Sequence, residues 1–265
     1  MTITAPALEQ QIEINGASLF VEEHGQGDPL VLVHAGLLSS GSWVGVVPLL
    51  AESFHVITFD NRGHGRSTNP SGALTYEQIA DDTAALIEAL GLERPFVGGW
   101  SDGGEVALQL GLRHPGRARA LIAGGTSLEM GSEAARTEIR AFFHVNDDGV
   151  VDLDAVADAF EKTMLPMLRQ SHPHGEQHWQ TIVQQSATMW LTYSGLTREQ
   201  VERITEPVLV VVGDRDEHVP VEEAMRLYHW LPQAELAILP GASHLRPIFD
   251  PATFARTVTD FLQRH

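Results

Sequence analysis

The chain has 265 residues, the length of one large α/β domain or two small ones, with 43% hydrophobic and 20% charged residues. It is long enough to bury a substantial core. A formal net charge of −18 opposes binding to nucleic acid or to an anionic membrane, both of which select clustered Lys and Arg, and the lack of cysteine rules out disulfides, thiolate nucleophiles and Cys-ligated zinc.

In chain order, the opening "MTITAPALEQ" has neither the basic nor the apolar region of a signal peptide. No apolar run reaches the roughly 18 residues of a membrane span, so a cytoplasmic protein is expected. "QQIEING" and "ASLFVEEHG" read as strands joined at Asn15-Gly16, a favoured hairpin turn. The apolar runs "PLVLVHAG" and "FHVITFD" suit strands buried on both faces of a parallel sheet. Between them "SWVGVVPLLAES" is short and helix-like, and Thr75 to Gly91 has helical spacing with a terminal glycine. "PFVGGW" is a strand, Asp102 to His114 a helix and "RALIAGG" a strand. Near the C-terminus follow the strand "PVLVVVGD", the helix "VEEAMRLYHWL", the strand "AELAILPG" and the helix "PATFARTVTDFLQRH". This alternation implies a mostly parallel sheet with helices on both faces. From about Glu129 to Ile204 only helical stretches occur, among them "DAVADAFEKTMLPML" and "EQHWQTIVQQSATMWLTY". They predict an all-helical lid over 129–204, inserted in a core made of 1–128 and 205–265.

The stretch "FVGGWSDGGEVALQLGLRHP" sets Ser101 and Asp102 among four glycines. Gly99-Trp100-Ser101-Asp102-Gly103 fits G-x-S-x-G between a strand and a helix, the context of a nucleophile elbow. Small neighbours clear so sharp a bend, and the helix start favours developing negative charge. A serine hydroxyl needs a base, and the base an orienting acid. Two carboxylates, Asp214 and Asp216, follow the "PVLVVVGD" strand, and His244 follows the last strand. Strand ends are where open α/β sheets gather their sites.

With these motifs the chain resembles, from end to end, the α/β-hydrolase superfamily. "VLVHAG" resembles its oxyanion stretch, "FDNRGHGRS" its D-x-R-G-x-G-x-S loop, "VVGDRDEHVP" its G-x-x-D and "GASHLRPIFDP" its closing G-x-x-H. The resemblance implies an eight-stranded, mostly parallel sheet flanked by helices. It also implies a triad of Ser101 as nucleophile, His244 as general base and acid, and Asp216 rather than Asp214 as orienting carboxylate. The oxyanion hole would be the backbone N–H groups of Gly36 and Asp102. His34-Ala35 stands where the family usually has His-Gly. "GWSDGG" is similar to the biphenyl-hydrolase-like branch, which includes valacyclovir-activating esterases, where the Asp beside the nucleophile recognises a substrate's α-amino group. For Asp102 the plainer reading is a helix-start acid.

Residues expected to line a substrate pocket are Leu37, Trp100, Asp102, Met164, Met189, Trp190 and Leu245; Met167 and Tyr193 read as lid packing. His34 is expected to brace the oxyanion loop, Arg62 and His64 the loop after "FHVITFD". His172, His174 and His178 read as a solvated loop rather than a metal site, and Asp147-Asp148 as a turn. The expected function is hydrolysis of small carboxylic esters through an acyl-enzyme, with no metal or organic cofactor and a small-molecule ester as partner. Oligomeric state is not legible. Ser101 opposes haloalkane dehalogenase and epoxide hydrolase, which the resemblance would give an Asp nucleophile. Enol-lactone and carbon–carbon bond hydrolysis remain alternatives on the same scaffold, and a non-catalytic binding protein is the alternative of another class.

Overall fold

Strand parity organises this molecule. In the computed structural model, which describes residues 8–265, alternate residues of each central strand enter two different apolar clusters. Val31, Val33, Val97, Leu121, Ala123, Val208 and Val210 join the first. Their strand neighbours Leu30, Leu32, Phe96, Ile122, Leu209 and Val211 join the second. Successive side chains of a strand point to opposite faces, so the sheet carries a core layer on each side. That is why these segments are apolar without interruption.

The strands are β1 (Leu8–Ile14), β2 (Ala17–His24), β3 (Asp28–Val33), β4 (Phe54–Phe59), β5 (Phe96–Trp100), β6 (Leu121–Gly124), β7 (Val208–Gly213) and β8 (Ala234–Leu239). They form one eight-stranded sheet in the order β1-β2-β4-β3-β5-β6-β7-β8. β1 and β2 are the expected antiparallel hairpin, turning at Asn15 and Gly16, both with positive φ. β2 meets β4 antiparallel, and every pairing from β4 through β3 to β8 is parallel. The expected absence of a signal peptide rests partly on residues 1–7, which lie outside the described residues.

A 3₁₀ turn (Ser40–Gly45) and the four-residue α1 (Val47–Leu50) replace the helix read in "SWVGVVPLLAES". Pro48 sits in the first turn of α1, where a missing N–H costs nothing. On the first face lie α2 (Tyr76–Ala89) and α3 (Asp102–Arg113). Thr75 caps α2 by accepting from the Gln78 N–H.

Between β6 and β7 run α4 (Glu133–Phe142), α5 (Leu153–Phe160), α6 (Leu165–Ser171), α7 (Glu176–Thr192) and α8 (Arg198–Val201). The single helix expected over "DAVADAFEKTMLPML" is broken into α5 and α6, with Pro166 in the first turn of α6. An isolated antiparallel bridge, Val145–Val151, departs from the expected all-helical content. Asp147 and Asp148 form the turn between its halves. α7 buries Trp179, Ile182, Val183, Ser186, Ala187 and Trp190, a helical stripe that merges with the first cluster. After β7 come α9 (Val221–Trp230), α10 (Arg246–Phe249) and α11 (Ala252–Leu262), the last covering the second face through Phe254, Val258 and Phe261. Among the described residues no helix is long and apolar enough to cross a membrane.

Candidate active site

The carboxyl ends of β3, β5, β7 and β8 carry the residues singled out above. β5 ends in a bend at Ser101, whose φ of 56° and ψ of −120° are forbidden to most L-residues. Holding a serine there costs on the order of 1–3 kcal/mol and requires surroundings that leave no alternative. A side chain on Gly99 would strike the backbone of Gly103 and the Val33 carbonyl, and one on Gly103 would strike Val33 again. The bend is therefore wedged against β3, and α3 starts at Asp102. The first backbone donor of α3 is Gly104, to the Ser101 carbonyl at 2.9 Å. The Asp102 N–H thus precedes the helical ladder, at the positive end of the dipole.

Asp216 and His244 come together from the ends of β7 and β8. The His244 Nδ1–H lies 2.9 Å from both Asp216 carboxylate oxygens. Asp216 Oδ1 also accepts the N–H groups of His218 (3.0 Å) and Val219 (2.9 Å). Burial pushes the Asp216 pKa up, but the bond and charge of His244 and these two amides outweigh it, and the group sits below its ordinary value. With Nδ1 committed, Nε2 is the nitrogen left for a second partner. The His244 N–H is held by Glu217 at 3.0 Å, a contact the sequence did not disclose. Asp214 is instead 3.9 Å from Arg215. Trp100, next to Ser101, lies 6.1 Å from the His244 ring, centroid to centroid.

After β3 the chain turns through Ala35 and Gly36 to Leu37, a buried residue in the left-handed region at φ 61°. His34 is wholly buried and braces this turn: its Nδ1–H donates to the Ala35 carbonyl (2.8 Å) while Nε2 accepts the Asn61 N–H (3.0 Å). Burial lowers its pKa, which keeps the ring neutral for both roles. Gly36 rests against the Asp102 carboxylate and the Trp190 indole, leaving no space for a side chain.

Asp102 departs from a plain helix-start acid. It is buried, accepts the Tyr76 hydroxyl at 2.7 Å and takes the Trp190 indole N–H at 3.0 and 3.1 Å on its two oxygens. Burial pushes its pKa up to about 6, against the pull of those donors and of His244. One turn on, Glu105 is buried with the Tyr193 hydroxyl and Gln109 as donors, and burial pushes it up to about 7. The Tyr76 and Tyr193 rings meet edge-on at 4.6 Å, so both acids belong to one network joining α2, α3 and α7. Tyr76, Glu105 and Gln109 were not singled out in the sequence. The available signal was the i, i+3 spacing of Asp102 and Glu105, which sets both on one helix face.

The other expected residues scatter. Trp190 stands beside Asp102 and Gly36. Met189 borders a cavity of ≈ 320 Å³ with Tyr76, Gln109 and Tyr193. Leu37 and Met164 pack in or against the first cluster, and Met167 and Leu245 against the second. Trp100 lies fully buried in the second cluster, edge-on to Phe254 at 5.5 Å. It is therefore not placed with Asp102 and Trp190, because residues 96, 98 and 100 of β5 share the opposite face. Arg62 holds its loop through Asp82 (2.5 and 2.8 Å), and the His64 ring bonds the Arg62 carbonyl.

The solvated loop expected at His172 is corrected: that residue is 1% exposed, with both ring nitrogens bonded to backbone of the core. His178 donates to the Gly63 carbonyl at 2.7 Å.

Relatives match most of this chain and most of their own length. A 2-hydroxymuconate semialdehyde hydrolase from Pseudomonas sp. strain CF600 is 26% identical, over 97% of this chain and 95% of its own. A pimeloyl-[acyl-carrier protein] methyl ester esterase from Nitrosospira multiformis is 26% identical, over 92% and 98%. The crystal structure of the enol-lactonase from Burkholderia xenovorans has the same fold, with a TM-score of 0.76 at 24% identity over 96% of this chain and 100% of that one. By name these relatives are two hydrolases, one of them an ester hydrolase, and an enol-lactonase. Residues 30–257 match the alpha/beta hydrolase family, and the chain belongs to that family.

Proposed function

We propose that the protein is a serine hydrolase of small carboxylic esters. Ser101 attacks the ester carbonyl as His244 Nε2 takes the hydroxyl proton. Asp216 orients the ring and stabilises its charged form. The oxyanion is met by the N–H groups of Gly36 and Asp102, donors in place before charge develops. His244 returns the proton to the leaving alcohol, whose departure leaves Ser101 acylated. The same nitrogen then takes a proton from the water that attacks the acyl carbonyl and passes it to Ser101 Oγ as the carboxylic acid leaves. Residues 129–204 serve as a cap, with Trp190 of α7 beside the donors.

The observation that carries this reading is the strained backbone of Ser101 at the start of α3, whose neighbour Trp100 lies 6.1 Å from an imidazole that commits its Nδ1 to a buried carboxylate. A binding protein would have no use for a serine held at that cost. Turnover of p-nitrophenyl acetate, lost by several orders of magnitude in Ser101→Ala, tests it. A loss below about tenfold removes Ser101 as nucleophile.

A further inference from the structure

His172 ends α6 in the helical insertion, yet both its ring nitrogens are spent on backbone of the core. The Gly65 N–H donates to Nδ1 at 3.1 Å, and Nε2 lies 3.0 Å from the Leu37 carbonyl. An amide N–H only donates and a carbonyl only accepts. The pair therefore dictates one tautomer, neutral with its hydrogen on Nε2. Burial agrees, lowering the ring's pKa to about 4; the faces nearest it are other imidazoles, His178 at 5.0 Å and His64 at 5.8 Å.

The carbonyl that His172 holds belongs to Leu37, the residue forced into the left-handed region. Two residues back, His34 holds the Ala35 carbonyl. In a trans peptide the C=O and N–H point opposite ways, so fixing the Ala35 carbonyl aims the Gly36 N–H away from His34. Gly36 is thus bracketed by two imidazoles, one from the core and one from the insertion.

We propose that His172 is a positioning residue for the oxyanion hole: from the insertion it locks Leu37 in its strained conformation, and the Leu38 N–H of the same peptide, which donates to the Ala35 carbonyl at 3.3 Å, thereby steadies the Ala35–Gly36 peptide that carries the Gly36 N–H. The proposal rests on the reading of Gly36 as an oxyanion donor. It makes the hole complete only when the insertion is docked. Without the ring, Gly65 N–H and Leu37 C=O are left buried and unpaired, a state that backbone groups avoid, and Leu37 relaxes toward negative φ.

The test compares wild type, His172→Phe and His172→Gln. Phenylalanine keeps the ring's bulk and loses both bonds, whereas the glutamine amide offers an acceptor and a donor in place of the two nitrogens. The readouts are p-nitrophenyl acetate kinetics and inhibition by a trifluoromethyl ketone, whose adduct with a serine bears an oxyanion, against its unreactive methyl ketone. Removing a whole oxyanion donor costs about 10²–10³ in kcat, so mis-aiming one should cost His172→Phe about 10- to 100-fold. KM should stay within threefold, and affinity should fall for the trifluoromethyl ketone alone, with His172→Gln recovering most of both. A folded His172→Phe that keeps its kcat and ketone affinity overturns the proposal. So does parallel loss of both ketones, which marks general damage. If His172→Phe does not fold, nitrogen-15 NMR of wild-type His172 decides: an Nε2–H ring whose signals shift with the trifluoromethyl ketone supports it, and an Nδ1–H, charged or unresponsive ring overturns it. Wild type that neither turns over the ester nor binds the trifluoromethyl ketone more tightly than the methyl ketone overturns the hydrolase reading itself, and the proposal falls with it.

Discussion

Glu105→Gln is expected to stabilise the protein above neutral pH and to leave it unchanged in acid. Glu105 is 3% exposed and faces donors but no cation: the Tyr193 hydroxyl and the Gln109 amide. Burial carries its carboxyl from the ordinary 4.5 to about 7, with the nearby Asp102 adding to the rise. Each factor of ten in proton affinity is roughly 1.36 kcal/mol, so ionised Glu105 costs the fold about 3 kcal/mol. The native state holds this proton more tightly than the unfolded chain, and stability therefore falls as pH rises. The penalty is absent below 4.5, grows between 4.5 and about 7 and is full above that. Glutamine copies the protonated acid and has no charge to lose. Urea unfolding at pH 5 and pH 8.5 measures the effect. The variant should match wild type at pH 5 within about 1 kcal/mol and exceed it by about 2–3 kcal/mol at pH 8.5. Equal pH slopes in the two proteins would refute the reasoning, because the excess belongs to this carboxylate alone.

Asp216→Asn should preserve the fold and lower kcat by about 10⁴-fold, by leaving His244 in the wrong tautomer; Asp214→Asn, whose carboxylate faces Arg215, should cost less than threefold. Steady-state kinetics rank the two, and a reversed order would move the orienting role to Asp214. Asp102→Asn should lower kcat for all small esters alike, because the amide cannot accept fully from both Tyr76 and Trp190 and one buried donor loses about 1–3 kcal/mol. An amino-acid ester and its des-amino analogue, assayed on both proteins, check this. A tenfold or greater preference for the amino ester that the mutation erases would show substrate recognition instead.

The hairpin, the alternation of strands and helices and the bend at Ser101 could be read from the sequence, because each is a local signal: a turn dipeptide, an apolar run, a glycine bend. Local signals left Asp214 and Asp216 both open, and the choice of Asp216 with His244 came from the family resemblance. The break between α5 and α6 had a signal in Pro166 that the reading of one helical stretch did not use. Trp100 shows a signal that was present and unused: it shares its strand face with Phe96, so parity already pointed it into the second core layer. His172 offered no such signal. Its surroundings in sequence, "SHPHGEQH", are polar, and its partners lie 107 and 135 residues away and are backbone atoms. The network around Asp102 and Glu105 was hidden for the same reason. Acids in the first turn of a helix are expected on electrostatic grounds, and only the arrival of Tyr76 and α7 overhead buries them.

The central claim, that Ser101 is the nucleophile of an acyl-enzyme, is tested most directly by trapping it. Wild type should be labelled by a fluorophosphonate at Ser101, seen by mass spectrometry of the digested protein, with p-nitrophenyl acetate turnover lost in proportion. Label on another residue, or full occupancy of Ser101 with ester turnover intact, would contradict the account.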